Sequence, residues 1–92
     1  MARPIKPRRI SFNPDVIHFK PRSVPLSLLD EVELEIDELE SLRLCDLKGL
    51  SQREAAAKMG ISQTTLQRTV NSARKKVTEA LVFGKSIKIR KS

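Results

Sequence analysis

Over residues 63–83 of this 92-residue chain the apolar positions fall into step, with Leu66, Val70, Ala73, Val77 and Ala80 recurring at spacings of four, three, four and three. One stripe held for about five turns predicts a long amphipathic helix over about 63–83. Ser62 is its N-cap, Ile61 staples onto Leu66 one turn in, and Gly84 stops it. Upstream, Ser51-Gln52-Arg53-Glu54 is a full capping box and predicts a shorter helix through about Met59, ended by Gly60. Asp37 followed three residues later by Glu40 reads as a third start, for a helix running to about Lys48 and stopped by Gly49. Its inward face is expected from Leu39, Leu42, Leu44 and Leu47, with Cys45 among them. Ser27 is expected to cap a short turn through Leu28–Asp30.

The ends read differently. All five prolines lie in residues 1–25, which excludes helix for most of that stretch. Ile10–Phe12 and Val16–Phe19 are two short extended runs joined by the turn chemistry of Asn13-Pro14-Asp15, and Ile87 and Ile89 alternate with Lys88 and Arg90 as a strand would. Phe12, Phe19 and Phe83, the chain's only aromatics, predict a satellite core where the two ends meet. The fold class expected is therefore mostly α, a three-helix helix-turn-helix domain with short extended or β segments at both termini. The divisions expected are a basic Pro-rich arm over 1–25, the helical domain over 26–84 and a basic tail or short strand over 85–92.

The stretch Gln52–Asn71 carries the functional signal. Ala55 and Ala56 are small where one helix crosses another, Gly60 tolerates the left-handed backbone of a tight turn, and Met59, Ile61 and Leu66 anchor two helices at a steep angle. These features suit a helix-turn-helix whose second helix presents its outer face to the DNA major groove.

Charge changes this picture. The chain carries 18 Lys and Arg against 11 Asp and Glu, a net +7 that by itself points only to a polyanionic partner. Residues 1–22 hold six bases and one acid, residues 23–50 two bases and eight acids, and residues 51–92 ten bases and two acids. The segments thus carry +5, −6 and +8. The +8 coincides with the helix-turn-helix signal, and no acid occurs from Gln63 to Thr78. That is unusual for a helix face needed only for solubility.

At 100° per residue the positions opposite the apolar stripe are Thr64, Arg68, Asn71 and Lys75, with Gln67 on their edge and Gln63 at the helix start. Arg pairs with guanine O6 and N7, and Asn or Gln with adenine N6 and N7, so Gln63, Thr64, Gln67, Arg68 and Asn71 are the candidate base contacts. Arg74, Lys75 and Lys76 lie further along, where the helix leaves the groove, and suit phosphates. Ser62 at the helix N-terminus and Arg8 and Arg9 of the arm complete the phosphate set.

The run LRLCDLKGLSQREAAAKMGISQTTLQRTVNSARKKVTEAL resembles region four of bacterial sigma factors, the part that reads the promoter's −35 element. The whole chain, over about residues 3–89, resembles more closely a family of short prokaryotic proteins of unknown function with such a helix-turn-helix. That family opens with a basic arm, followed by an F-K-P segment, here Phe19-Lys20-Pro21, and an acidic stretch, here Leu34–Leu44. The resemblance implies DNA binding. Some relatives look fused or adjacent to an iron–molybdenum-cofactor-binding type of domain, for which this chain has no room. Relatives often carry a Cys in the arm where this chain has Pro7, so a metal or redox role has no support here. They also usually have an aliphatic residue at Thr69, expected to face the core.

Nothing else in the sequence competes strongly. One Cys and one His exclude an internal disulfide and a structural zinc site, Cys45 reads as a buried structural thiol, and His18 as an exposed or edge-strand residue. With three glycines and no phosphate loop, neither an enzyme nor a cofactor is expected. The longest apolar run is Ala80–Phe83 and the basic start Met1–Arg9 leads into no apolar stretch, so membrane contact and a signal peptide are not expected and the location expected is cytoplasmic. The arm has two readings, across DNA or docked on the acidic segment Asp30–Glu40. That segment reads as a solvated face turned from DNA, or as a contact for a protein such as RNA polymerase. The expected function is sequence-specific binding of double-stranded DNA, as a transcriptional regulator. The alternative is a protein-interaction module with the sigma-like shape that uses its acidic face. Many such proteins pair to read two half-sites, and Val77–Phe83 with the terminal extended segments is the expected homodimer surface.

Overall fold

The computed structural model describes residues 8–91, so Arg3, Lys6 and Pro7 of the arm and the last residue lie outside the described residues. In chain order the elements are β1 (His18–Phe19), a 3-10 turn (Leu26–Leu28), β2 (Glu31–Glu35), α1 (Ile36–Leu42) continued by a π-helical turn (Arg43–Leu47), α2 (Gln52–Met59), α3 (Gln63–Phe83) and β3 (Ser86–Arg90). The architecture is mostly α, with one three-stranded sheet in the order β1-β3-β2.

The helical part follows the sequence pattern closely. Ser51 Oγ accepts from the Glu54 N–H while the Glu54 carboxylate accepts from the Ser51 N–H, the reciprocal box that starts α2. Gly60 closes α2 in the left-handed region at φ 66°, where a Cβ would be strained. Ser62 caps α3, and Gly84 ends it in the same conformation. Leu66, Val70, Ala73 and Ala80 are buried along the predicted stripe. Leu44, Ala55, Ala56, Met59 and Leu66 form one core cluster between the π turn, α2 and α3. Leu34, Ala73 and Ile89 form a second, where the sheet meets α3.

The acidic segment is built differently from expectation. Glu31–Glu35 is not the run-up to a helix but a strand, pairing parallel with β3 in the register Val32–Ile87 and Leu34–Ile89. The alternation Glu-Val-Glu-Leu-Glu turns Val32 and Leu34 inward and Glu31 and Glu33 to solvent, the period of a half-buried strand. Because β2 runs to Glu35, α1 starts at Ile36, and its capping box is Glu35 with Glu38 rather than Asp37 with Glu40. The expected inward face is corrected at one position. Leu44 is buried and Leu39, Leu42 and Cys45 pack half-buried against the two clusters, but Leu47 is 79% exposed, and the fully buried positions of α1 are Glu38, Glu40 and Ser41. The π turn, with the Lys48 N–H bonded to the Arg43 carbonyl, rotates the last residues away from a 3.6-residue period.

Two smaller expectations also change. The short turn falls at Leu26–Leu28 and follows Pro25, with no side-chain cap from Ser27. The three aromatics do not converge. Phe12 lies under the Arg43 guanidinium at 5.0 Å, and Phe19 shares an apolar cleft with it, but Phe83 is 71% exposed at the end of α3. Ile89 takes the core place instead, because the parallel β2–β3 pairing brings it over Leu34.

Candidate nucleic-acid interface

One short turn fixes the position of α3. Three residues connect α2 to α3, with the Ile61 N–H bonded to the Ala56 carbonyl and the Gly60 N–H to that of Ala57. Buried Met59 and Leu66 lock the pair from below. On the opposite side Gln63, Thr64, Gln67, Arg68 and Asn71 are all exposed, as is Lys75. The structure brings all five predicted base-contact residues onto the open side of one helix. Lys75 has no ion-pair partner among the described residues, whereas Arg74 and Lys76 do.

Arg74 donates from Nε and Nη2, one edge of its guanidinium, to Asp46 in the π turn, at 3.1 and 2.7 Å. This bidentate hydrogen bonding holds the Asp46 carboxyl below its ordinary value and raises Arg74. Lys76 reaches buried Glu38, with Nζ 2.7 Å from Oε1. Burial opposes the Glu38 charge, but hydrogen bonds from Lys76, from the Ser72 hydroxyl at 2.6 Å and from the Glu35 N–H outweigh it and keep the carboxyl ionised below its usual range. Ser62 is also engaged: its Oγ accepts from the Thr65 N–H and donates to Thr65 Oγ1 at 2.9 Å.

The arm docks on the acidic segment, one of the two readings left open by sequence, and also on the α2–α3 turn. Arg8 Nε lies 3.2 Å from Asp37, on the acidic segment. The Arg9 N–H donates to the Met59 carbonyl, and its exposed side chain lies over the α2–α3 turn, so that a Cβ on Gly60 would sit 3.1 Å from Nε. The next N–H but one, from Ser11, donates to Glu40, which is buried and also accepts from Arg43 Nε and Nη2 at 2.6 and 2.9 Å. Burial opposes ionisation of Glu40 as well, and the Arg43 and Ser11 hydrogen bonds again prevail.

The acidic segment is thus neither one solvated face nor wholly turned from α3. Asp37 and Glu38 line a shallow depression together with Arg68, Thr69 and Lys76. Thr69 sits on this flank, half-buried, with its hydroxyl donating to the Thr65 carbonyl. Two exposed cations of α2, Arg53 and Lys58, were not singled out from the sequence. Their only signal there is membership of the +8 segment. The half-buried Cys45 thiol is pushed up by burial and by Asp46, and so stays protonated. His18 is exposed on β1, 3.4 Å from Glu31. Among the described residues no group of three acidic, His or Cys side chains could hold a metal ion, and no helix is long and apolar enough to cross a membrane.

Comparison with known proteins places the chain without assigning it an activity. A UPF0251 protein of Thermoanaerobacter pseudethanolicus is 53% identical over 89 residues, covering 97% of this chain and 75% of its own length. A UPF0251 protein of Dehalococcoides mccartyi is 54% identical with 76% of its length covered, and one of Moorella thermoacetica is 52% identical with 60% covered. No solved structure matches. With its family model matched over residues 1–92 and relatives more than half identical, the chain belongs to the family described as protein of unknown function DUF134.

Proposed function

We propose that this protein binds double-stranded DNA sequence-specifically as a transcriptional regulator, with α2, the Gly60 turn and α3 acting as a helix-turn-helix. The observation that carries the reading is the outer face of α3. Base-reading side chains Gln63, Thr64, Gln67, Arg68 and Asn71 are exposed together on a helix whose other side is anchored by buried Leu66, Val70 and Ala73. A rigid backbone under such side chains is what major-groove readout requires. Lys75 and Arg9 are best placed for phosphates, since both are exposed beside this face or its turn. Arg74, Lys76 and Arg8 join them only by giving up Asp46, Glu38 and Asp37. The amides at the α3 N-terminus offer a further phosphate site, whereas the Ser62 hydroxyl hydrogen is already used.

The alternative, a protein contact through the acidic segment, has exposed Glu31 and Glu33 of β2 in its favour. It has less to offer a partner such as RNA polymerase than the charge count suggests, because Glu38 and Glu40 are internal.

Selection of bound sequences from a random DNA pool at two salt concentrations tests the proposal. An enriched motif is expected, with affinity falling steeply with salt. Arg68→Ala should lower affinity for that motif by about tenfold or more while sparing random DNA. Lys75→Ala should weaken all sequences alike and reduce the salt slope by about one. Recovery of no motif, with binding insensitive to salt, would sink the proposal in favour of the protein-contact reading.

A further inference from the structure

The arm is fastened to the helices at three consecutive residues. The Arg9 N–H donates to the Met59 carbonyl at 3.0 Å, Ile10 packs against the cluster that contains Met59 and Leu66, and the Ser11 N–H donates to buried Glu40 at 2.9 Å. With its backbone held there, Arg9 lays its guanidinium over Gly60. A Cβ on Gly60 would stand 3.1 Å from Nε, 3.4 Å from Nη2 and 3.5 Å from the guanidinium carbon, so one edge of the group rests on the bare face of the turn. Gly84 is the instructive contrast. It ends α3 at the same φ of 66°, yet a Cβ there would meet nothing within 4 Å. The left-handed backbone alone is satisfied by glycine or asparagine at either position. Only at position 60 does a neighbour also require that no side chain be present.

Arg9 is exposed, and among the described residues its guanidinium has no ion-pair partner, whereas Arg8, Arg74 and Lys76 each hold a carboxylate. Its charge is kept in place without being neutralised by the protein itself. A cation already held in position loses less freedom on meeting an anion than a free side chain does. We propose that Gly60 is a positioning residue for Arg9: the side-chain-free turn seats the guanidinium where it meets a backbone phosphate of double-stranded DNA beside the start of α3.

This role rests on the DNA-binding reading above and gives the turn glycine a part in register besides its part in the fold. Lys75, also exposed and without an ion-pair partner among the described residues, lies twelve residues beyond Gln63, about 18 Å along the helix. That exceeds the roughly 12 Å width of the major groove. Cations at the two ends of the outer face of α3 therefore suit the two phosphate backbones that bound the groove, with the base-reading side chains between them.

Gly60→Asn tests the seat, because asparagine tolerates the left-handed backbone while its amide, reaching past Cβ, takes the space of the guanidinium. In the DNA-free protein the heteronuclear NOE of Arg9 Nε should report an ordered side chain, and Gly60→Asn should release it. On random DNA, Arg9→Ala and Gly60→Asn should each lower the salt slope by about one, and the double variant should lower it no further. Affinity for random and selected sequences should fall alike, a few-fold at low salt. Arg9→Lys should keep most of the slope, and Gly84→Asn all of it. Thermal unfolding of each variant separates loss of the seat from loss of the fold. A mobile Arg9 side chain in the unaltered protein, or an unchanged slope in Arg9→Ala, overturns the proposal whether or not Gly60→Asn folds. So does a folded Gly60→Asn variant that keeps the full slope. Where Arg68→Ala still removes preference for the selected motif in those cases, the DNA reading stands without this seat. Unaltered protein that binds no DNA overturns both.

Discussion

The α3 helix and the stretch from Asp30 to Glu40 are comparable in conspicuousness, one for its apolar stripe and the other for seven acids in eleven residues. They behave oppositely in the fold. In α3 as far as Ala80 each residue type lies where its polarity puts it: Leu66, Val70, Ala73 and Ala80 inside, and Gln63, Thr64, Gln67, Arg68 and Asn71 outside. In the acidic stretch the residue type does not decide. Glu31 and Glu33 face solvent, whereas Glu38 and Glu40 are buried and serve as joints, the first binding α1 to α3 through Ser72 and Lys76, the second binding the arm to α1 through Ser11 and Arg43. A cluster of like charges is therefore no guarantee of a solvated surface. A carboxylate that accepts three hydrogen bonds, at least one of them from a cation, survives burial.

The contrast can be broken by substitution. Leu66→Ala should have the largest effect, about 3–4 kcal/mol of stability by chemical denaturation, since the side chain is fully buried between α2 and α3 and leaves a cavity. A loss below about 1 kcal/mol would mean that the stripe is not what holds the outer face in place. Next comes Glu40→Gln, which keeps an acceptor for the Ser11 N–H but loses the charge that holds Arg43. It should cost about 2 kcal/mol. Glu33→Gln, exposed and only loosely paired with Arg90 at 3.6 Å, should fall within about 0.5 kcal/mol. Equal costs for these two would erase the distinction between internal and solvated acids.

The same distinction has a pH signature. Glu38 and Glu40 are both held below their ordinary value of 4.5, so their contribution is complete above that value and is lost as pH falls through it toward the lower folded-state values. Thermal unfolding followed from neutral pH into the acid range should steepen below about pH 4.5, and Glu40→Gln should flatten that limb. An unaltered acid limb would show that the Arg43–Glu40 joint does not couple to folding. A small stability effect is also expected from Asp46→Asn, because the Asp46–Arg74 pair is nearly half exposed on both sides. Its consequence lies in binding: freeing Arg74 should tighten DNA of any sequence a few-fold at low salt and raise the salt slope by about one. No change in the slope would place Arg74 off the phosphate path.

Read along the chain, the α2–turn–α3 unit was legible almost to the residue. Its signals are local: the Ser51–Glu54 box, the left-handed Gly60, the Ser62 cap and a stripe of constant period. The strand pattern at Ile87 and Ile89 was legible for the same reason. Glu31–Glu35 was not, although it alternates perfectly, because strand propensity in an acid-rich run depends on a partner far away in sequence. That partner, β3, lies more than fifty residues on and pairs in parallel. Leu47 was misplaced because the π turn breaks the helical period within a single turn.

The candidate site divides along the same line. Which side chains line the outer face of α3 followed from angle and composition alone, since helix geometry carries that information locally. Which cations already have partners did not. The pairs Arg74–Asp46, Lys76–Glu38 and Arg8–Asp37 join residues twenty-eight or more positions apart, and only the packing of α1 against α3 and of the arm against both brings them together. The sequence determined a basic helix with an amide-bearing outer face, set on a tight turn. The tertiary structure decided which of its charges are spoken for, because a salt bridge depends on distances of a few ångströms that no local pattern encodes.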